Sequence, residues 1–339
     1  MRAAFYEGNR QVSIGLCAPV APGPGEVQLR VSHCGICGTD LHIYHGSMDH
    51  RVKMPQVIGH ETSGTIESVG DGIDGWKSGA RVTVMPLDPC HNCPACRRGH
   101  SHICQKLKFI GIDTPGGMQA LWTVPAHTLL HVPQSLSLEH AALIEPVAVA
   151  CHDVRLGEVM PDEFAVVLGG GPIGALVALV AQHAGARVVA VEINQFRIEL
   201  LRGLGLEVVN PLETDLPKLV NEMTGDSGAD VVFEVSGAAL SALAMTDLLR
   251  TRGRVVMVAV YPKPVPINLH RFFWRELRMA GARVYEREDF AKAIELLAAR
   301  VMPFEKIITD VFPLDGLKHG FDLLEGGGSA MKILLDCQS

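Results

Sequence analysis

Up to about residue 145 the chain carries short runs of alternating apolar and polar positions, each stopped by Gly or Pro. Glu26-Val-Gln-Leu-Arg-Val, Gly64-Thr-Ile-Glu-Ser-Val-Gly and Arg81-Val-Thr-Val are β-branched segments of this kind, and a two-residue period marks a strand with one buried face. Strands so short and turn-rich predict a curled all-β body bearing long loops. The pattern changes after Glu145-Pro146. Phe164-Ala-Val-Val-Leu, Arg187-Val-Val-Ala-Val, Asp230-Val-Val-Phe-Glu-Val and Arg254-Val-Val-Met-Val-Ala-Val are almost continuously apolar. Helical stretches over 173–184, 195–204 and 240–250 separate them. Strands apolar on both faces, alternating with helices, predict a parallel doubly wound sheet. From about Asp289 a helix over 290–299 and a strand, Lys332-Ile-Leu-Leu-Asp, follow.

At 339 residues the chain is too long for one small core and predicts two domains. The net charge of −7, with no basic run, argues against nucleic acid as the main partner. No apolar stretch reaches membrane-spanning length: the nearest, 164–180, is broken by glycines and Pro172, so no membrane is expected. The opening Met1-Arg-Ala-Ala-Phe-Tyr-Glu reads as a strand and not as a leader peptide, which makes a cytoplasmic location the expectation. In that reducing setting nine cysteines favour metal binding and reactivity over cross-links.

Four of them fall within fifteen residues, Cys90-x2-Cys93-x2-Cys96-x7-Cys104. Such a run supplies a complete tetrahedral thiolate set for a structural zinc that shapes a loop and leaves no open position. His91, His100 and His102 lie close enough to replace a thiolate. Gly169-Gly-Gly171-Pro172-Ile173-Gly174 fits the G-x-G-x-x-G pattern, and it follows a strand and opens a helix, as a dinucleotide site requires. The helix start offers free N–H groups to a pyrophosphate. Glu192 ends the next strand, eighteen residues past Gly174, where a carboxylate accepts bonds from ribose hydroxyls and repels a 2′-phosphate. NAD is therefore expected over NADP, with Arg197 placed to touch the adenine or the ribose.

A second set of donors is dispersed: Cys37, His60, Glu61 and Glu145. Cys34-x-x-Cys37 alone reads as a redox pair, yet its glycine-rich setting predicts no strand–helix frame of the thioredoxin kind. Together the dispersed residues offer one thiolate, one imidazole and carboxylates, enough for a zinc that keeps a position open for substrate.

With Cys37-Gly-Thr-Asp, Gly59-His60-Glu61, the four-cysteine lobe, Glu145-Pro146 and the glycine fingerprint in this order, the chain resembles the zinc-containing medium-chain dehydrogenase/reductase family, on the branch with sorbitol, threonine and butanediol dehydrogenases. The resemblance implies an α/β plus β fold: a GroES-like β-rich catalytic domain over 1–146 and 287–339, and a Rossmann coenzyme domain over 147–286. It implies that Cys37, His60 and Glu61 bind a catalytic zinc, with Glu145 as a second carboxylate candidate. It also implies two zincs per chain and a homodimer or homotetramer, through edge strands near 254–261.

The chemistry implied is NAD(H)-linked interconversion of a secondary alcohol and its ketone, by formation of a zinc alkoxide and hydride transfer. Thr39, two residues after Cys37, would accept the hydroxyl proton and His42 would pass it to solvent. Asp40 would orient His60 from behind. Glu67 resembles a family glutamate behind the metal, with a structural part to play. Cys17, Cys34, Cys151 and Cys337 read as small buried residues.

The substrate is expected to be a small polar compound: a polyol, sugar derivative, diol or β-hydroxy amino acid. Val284 replaces the arginine that sorbitol dehydrogenases carry before the tyrosine of Tyr285-x-Arg287, and this run looks more like that of threonine dehydrogenases. An L-threonine 3-dehydrogenase-like activity and a non-catalytic NADH-binding redox sensor are the alternatives. A zinc-free quinone-reductase-type enzyme is disfavoured by the two donor clusters.

Overall fold

The computed structural model describes all 339 residues, which divide into two compact units. The first comprises residues 1–145, 286–300 and 308–339, and the second residues 146–285 and 301–307.

In the first unit the strand Arg2–Gly8 pairs antiparallel with Gln11–Leu16 and with the short Gln56–Val57. A larger sheet runs in the order Leu129–His131, Arg81–Val84, Glu61–Val69, Glu26–Gly35, Lys332–Asp336 and Ile308–Pro313, and Leu121–Pro125 also pairs with Glu26–Gly35. The ten-residue strand Glu26–Gly35 is its spine. One edge takes Glu61–Val69, in a register that sets Gly35 opposite Glu61, and the other takes Lys332–Asp336. Three segments remote in sequence thereby bring Gly35, Glu61 and Lys332 to one place. The helix Gly38–Tyr44 follows the spine directly.

The second unit holds a six-stranded parallel sheet in the order Glu207–Val209, Arg187–Val191, Phe164–Leu168, Ala229–Glu234, Leu249–Met257 and Arg278–Gly281. The helices Pro172–His183, Gln195–Gly203, Leu216–Thr224, Ala239–Ala244 and Leu269–Arg275 connect it. Val166, Val189, Val232 and Val255 from four strands share a core with Leu216, Val220 and Met245 from the connections, which is why those strands read as unbroken apolar runs. The strand order reverses between Phe164–Leu168 and Ala229–Glu234, the point where such sheets open a ligand crevice.

Several expectations are corrected. The stretch 240–250 is not one helix: it ends as Ala239–Ala244, and Leu249 already pairs with Ala229 as a strand. Buried Leu248 and Leu249, which look like a helix face, belong to the sheet core. Residues 254–261 do not form an edge, because Leu249–Met257 is paired on both sides; the edge is Arg278–Gly281. Cys34 lies buried inside the strand Glu26–Gly35 and only Cys37 caps the following helix, so a strand does run into a helix here, but the two cysteines do not share a helix start.

Candidate functional site

In the cysteine lobe the short helix Pro94–Arg97 is capped by Cys93, whose sulfur accepts the Cys96 N–H at 3.5 Å. The Cys104 sulfur accepts N–H groups from Cys90 at 3.4 Å and Lys106 at 3.3 Å. The sulfurs of Cys93 and Cys96 lie 3.5 Å apart, those of Cys93 and Cys104 3.8 Å, and those of Cys104 and Cys90 3.4 Å. A disulfide would need about 2.0 Å. Zinc–sulfur bonds of about 2.3 Å put tetrahedral sulfurs about 3.8 Å apart, so the donor set fits a four-thiolate metal. The Cys96 and Gln105 N–H groups lower the Cys93 thiol to about 6, while burial lifts Cys104 to about 11. No histidine enters the group: His102 Nδ1 faces Glu286 at 3.2 Å, and the His91 ring faces His127.

The dispersed donors also converge. One ligand atom each from Cys37, His60 and Glu61 lies within 4.8 Å of the others. Cys37 is half-buried at the helix start, whereas His60 and Glu61 are 2% and 0% exposed. Asp40 accepts the Cys37 N–H at 2.9 Å, tying the first turn of the helix back to Cys37. Its other oxygen lies 3.8 Å from His60 Nδ1, longer than a hydrogen bond, and both atoms are buried without a hydrogen-bond partner. Phe109 packs edge-on against the imidazole. Burial alone would lower the pKa of His60, but Asp40, the Cys37 sulfur and Glu145 outweigh it and hold the ring well above its ordinary range. An imidazole drawn toward protonation, two orphaned buried atoms and several acidic groups describe a pocket short of positive charge. A divalent cation fits it.

Sequence reasoning missed the one cation that the protein supplies. Lys332 reaches both oxygens of Glu61, at 2.7 and 2.8 Å, and the Ile36 carbonyl at 3.1 Å, with only 2% of the residue exposed. Burial opposes its charge, yet Glu61, Cys37 and Glu145 keep its pKa raised. A side chain at Gly35 would strike the Glu61 carboxylate, since its Cβ would lie 3.1 Å from Glu61 Cδ. The signal was a lysine placed directly before three buried apolar residues of a strand, Ile333 to Leu335.

Glu145 is buried in the first turn of the helix Ile144–Leu156. It acts on His60 and Lys332 electrostatically but stands outside the three-residue group. Thr39 is half-buried and His42 exposed, three positions apart on the same helix and so on one face. Two readings change, those of Glu67 and Cys17. Glu67 does not lie behind the metal: it is exposed and pairs with Arg30 at 2.9 Å. Cys17 is half-buried and not buried, and Tyr285 is fully buried. Arg287 donates to the carbonyls of His127 and Leu129.

In the second unit, Gly169 bends the chain with φ of +104°, Gly171 caps the helix, and Pro172 and Ile173 form its first turn. Gly174 packs on the Gly169 carbonyl. Glu192 is 8% exposed, and its carboxylate accepts N–H groups from Gly170 at 3.0 Å, Ile193 at 2.7 Å and Asn194 at 2.9 Å. Arg197 lies 3.8 Å from it, with a buried Nε that has no hydrogen-bond partner.

Residues 23–134 match the alcohol dehydrogenase GroES-like domain, and residues 172–299 match the zinc-binding dehydrogenase family. The chain is 49% identical over its full length to 2-dehydro-3-deoxy-L-galactonate 5-dehydrogenase of Pseudoalteromonas atlantica, covering 99% of that protein. It is 34% identical to L-threonine 3-dehydrogenase of Pyrococcus horikoshii, over 93% of this chain and 92% of that one. The structure of 2R,3R-butanediol dehydrogenase from Bacillus subtilis superposes with a TM-score of 0.91 at 31% identity, over 99% of each chain. The chain therefore belongs to the zinc-containing medium-chain dehydrogenase/reductase family, and it is an alcohol or polyol oxidoreductase.

Proposed function

We propose that this enzyme oxidises the secondary hydroxyl of a 2-dehydro-3-deoxy sugar acid, using NAD and two zincs per chain. The observation that carries the reading is the convergence of Cys37, His60 and Glu61 in a buried, electronegative pocket. The substrate class is supported by the full-length relative at 49% identity. Cys37, His60 and Glu61 hold the catalytic zinc, with Glu145 as the carboxylate in reserve. Cys90, Cys93, Cys96 and Cys104 hold the structural one.

When bound, the catalytic zinc supplies Lewis-acid polarisation of the hydroxyl. Asp40, 3.8 Å from His60 Nδ1, supports the imidazole from behind through its charge. Lys332 pins Glu61 by both oxygens, so that joining the metal means giving up part of an ion pair. Thr39 would take the hydroxyl proton while passing on its own, by way of the coenzyme ribose, to His42, which is exposed one turn further along the helix and releases it to water.

The first unit, residues 1–145, 286–300 and 308–339, is the catalytic domain, and the second, residues 146–285 and 301–307, the coenzyme domain, so the segment 301–307 leaves the expected boundary. Glu192 selects NAD over NADP. Glu192→Ala should raise the KM for NAD about tenfold and narrow the preference over NADP, a loss of the size expected for a charge-assisted hydrogen bond. Unchanged coenzyme kinetics would remove the residue from that role. A homodimer or homotetramer is supported by the free edge of Arg278–Gly281 and by exposed Phe273, Trp274 and Met279.

The deciding experiment measures metal per chain and NAD-linked turnover of 2-dehydro-3-deoxy-L-galactonate and L-threonine, before and after dipicolinate. Two zincs, with sugar-acid turnover lost as the labile one leaves, would support the reading. Turnover of threonine alone would replace the substrate class, and no turnover with a single tightly held zinc would end the mechanism.

A further inference from the structure

Glu234 is the last residue of the strand Ala229–Glu234, on the side of the crevice opposite the glycine loop, and it is fully buried. Its register partner is Leu168, the residue before Gly169. One carboxylate oxygen accepts the Ser236 N–H at 3.1 Å and the Ser236 hydroxyl at 2.5 Å. The other accepts the Tyr261 hydroxyl at 2.6 Å and the Gly237 N–H at 3.4 Å. The Glu234 carbonyl accepts the N–H groups of Val258 and Ala259, at 2.9 and 3.0 Å. One residue thus organises two turns, 235–238 and 258–261, that follow neighbouring strands. Its partners are neutral donors, and a buried charge held this way depends on every one of them. Burial and the adjoining carboxylate raise the Tyr261 phenol, which keeps its proton available to donate.

Both turns border the place where a dinucleotide would lie. A Cβ at Gly169 would sit 2.9 Å from the Ser236 backbone, so the Ser236 turn is the wall facing the glycine loop, and Ser236 itself is exposed. The turns also approach each other: a Cβ at Gly237 would lie 3.7 Å from Ala259 Cβ. We infer that Glu234, acting through Ser236, Gly237 and Tyr261, is a positioning residue that holds the crevice in the shape that accepts the coenzyme. The inference rests on the reading that the glycine loop takes a nicotinamide dinucleotide.

The test is NADH titration by fluorescence on the purified full chain, with ADP-ribose competition and thermal unfolding in parallel. Glu234→Gln should raise the NADH dissociation constant about tenfold and Tyr261→Phe about threefold, while kcat at saturating coenzyme stays within about twofold of wild type. Wild-type affinity in both variants, with only a lower melting temperature, would make the cluster purely structural and overturn the inference. If Glu234→Gln does not fold, Tyr261→Phe, which removes a single oxygen, decides alone. Failure of the wild type to bind NADH would instead overturn the coenzyme reading beneath it.

Discussion

The cysteine lobe and the dispersed site differ in where their positive charge comes from. The lobe gathers four sulfurs from one loop, and the partners of Cys93 and Cys104 are backbone N–H groups and the other thiols. Backbone N–H groups bring Cys93 to about 6, but burial holds Cys104 at about 11, so ionising the whole set depends on a metal. The dispersed site takes donors from a helix start and a strand start, feels the charge of Glu145 from a second helix, and adds a buried lysine from a fourth segment. Part of its charge is balanced before any metal arrives. The comparison implies one site whose metal is part of the fold and another whose metal can leave a folded protein.

Cys37→Ala should break the catalytic side alone: turnover falls to background while NADH affinity and most of the thermal stability persist. Retained activity would exclude Cys37 from the metal shell. Cys96→Ser should do the reverse, with one zinc per chain lost and unfolding at clearly lower temperature or denaturant, because a structural zinc contributes folding energy directly. A stable, fully active variant with its zinc content unchanged would contradict a structural metal there.

Lys332→Met should turn the dispersed site into one that needs its metal. Without zinc, the Glu61 carboxylate is left buried and unpaired, at a cost of about 3–5 kcal/mol. Urea unfolding should show that loss in chelated protein and a smaller one with zinc present, while equal losses would mean that Glu61 does not turn to the metal. Asp40→Asn is the mildest change. Weakening the support of His60 should lower affinity for the labile zinc by about 10- to 100-fold, with the lobe metal untouched. Competition with a fluorescent chelator reads this directly, and an unchanged labile-site affinity would remove Asp40 from the support of His60.

The same contrast explains what could be read from sequence. The lobe and the glycine loop are contiguous, so residue type and spacing carry their geometry. Cys37, His60, Glu61 and Glu145 are each ambiguous alone and gain meaning from family order. Lys332 leaves only a faint local trace, since its partner is a strand pairing away. Gly35 sits in a strand where its missing side chain makes room for Glu61, a demand that only the pairing of the two strands reveals. Buried Leu248 and Leu249 similarly suit a helix face or a sheet core, and only the pairing of Leu249 with Ala229 decides. Glu67 shows the limit of resemblance, because an exposed pair with Arg30 gives it a local partner on the surface.

The pairing of Glu61 with Lys332 also sets a schedule for biosynthesis. Their separation is 271 residues, and the intervening chain includes the whole of the second unit. A ribosome that has delivered Glu61 must complete that unit before the counter-charge exists. Until then, burying Glu61 in the sheet carries the penalty of an unmatched carboxylate. Early closure around Glu61 is therefore disfavoured, and once Lys332 emerges this pocket can close without a metal, whereas the cysteine lobe in the same unit still waits for one.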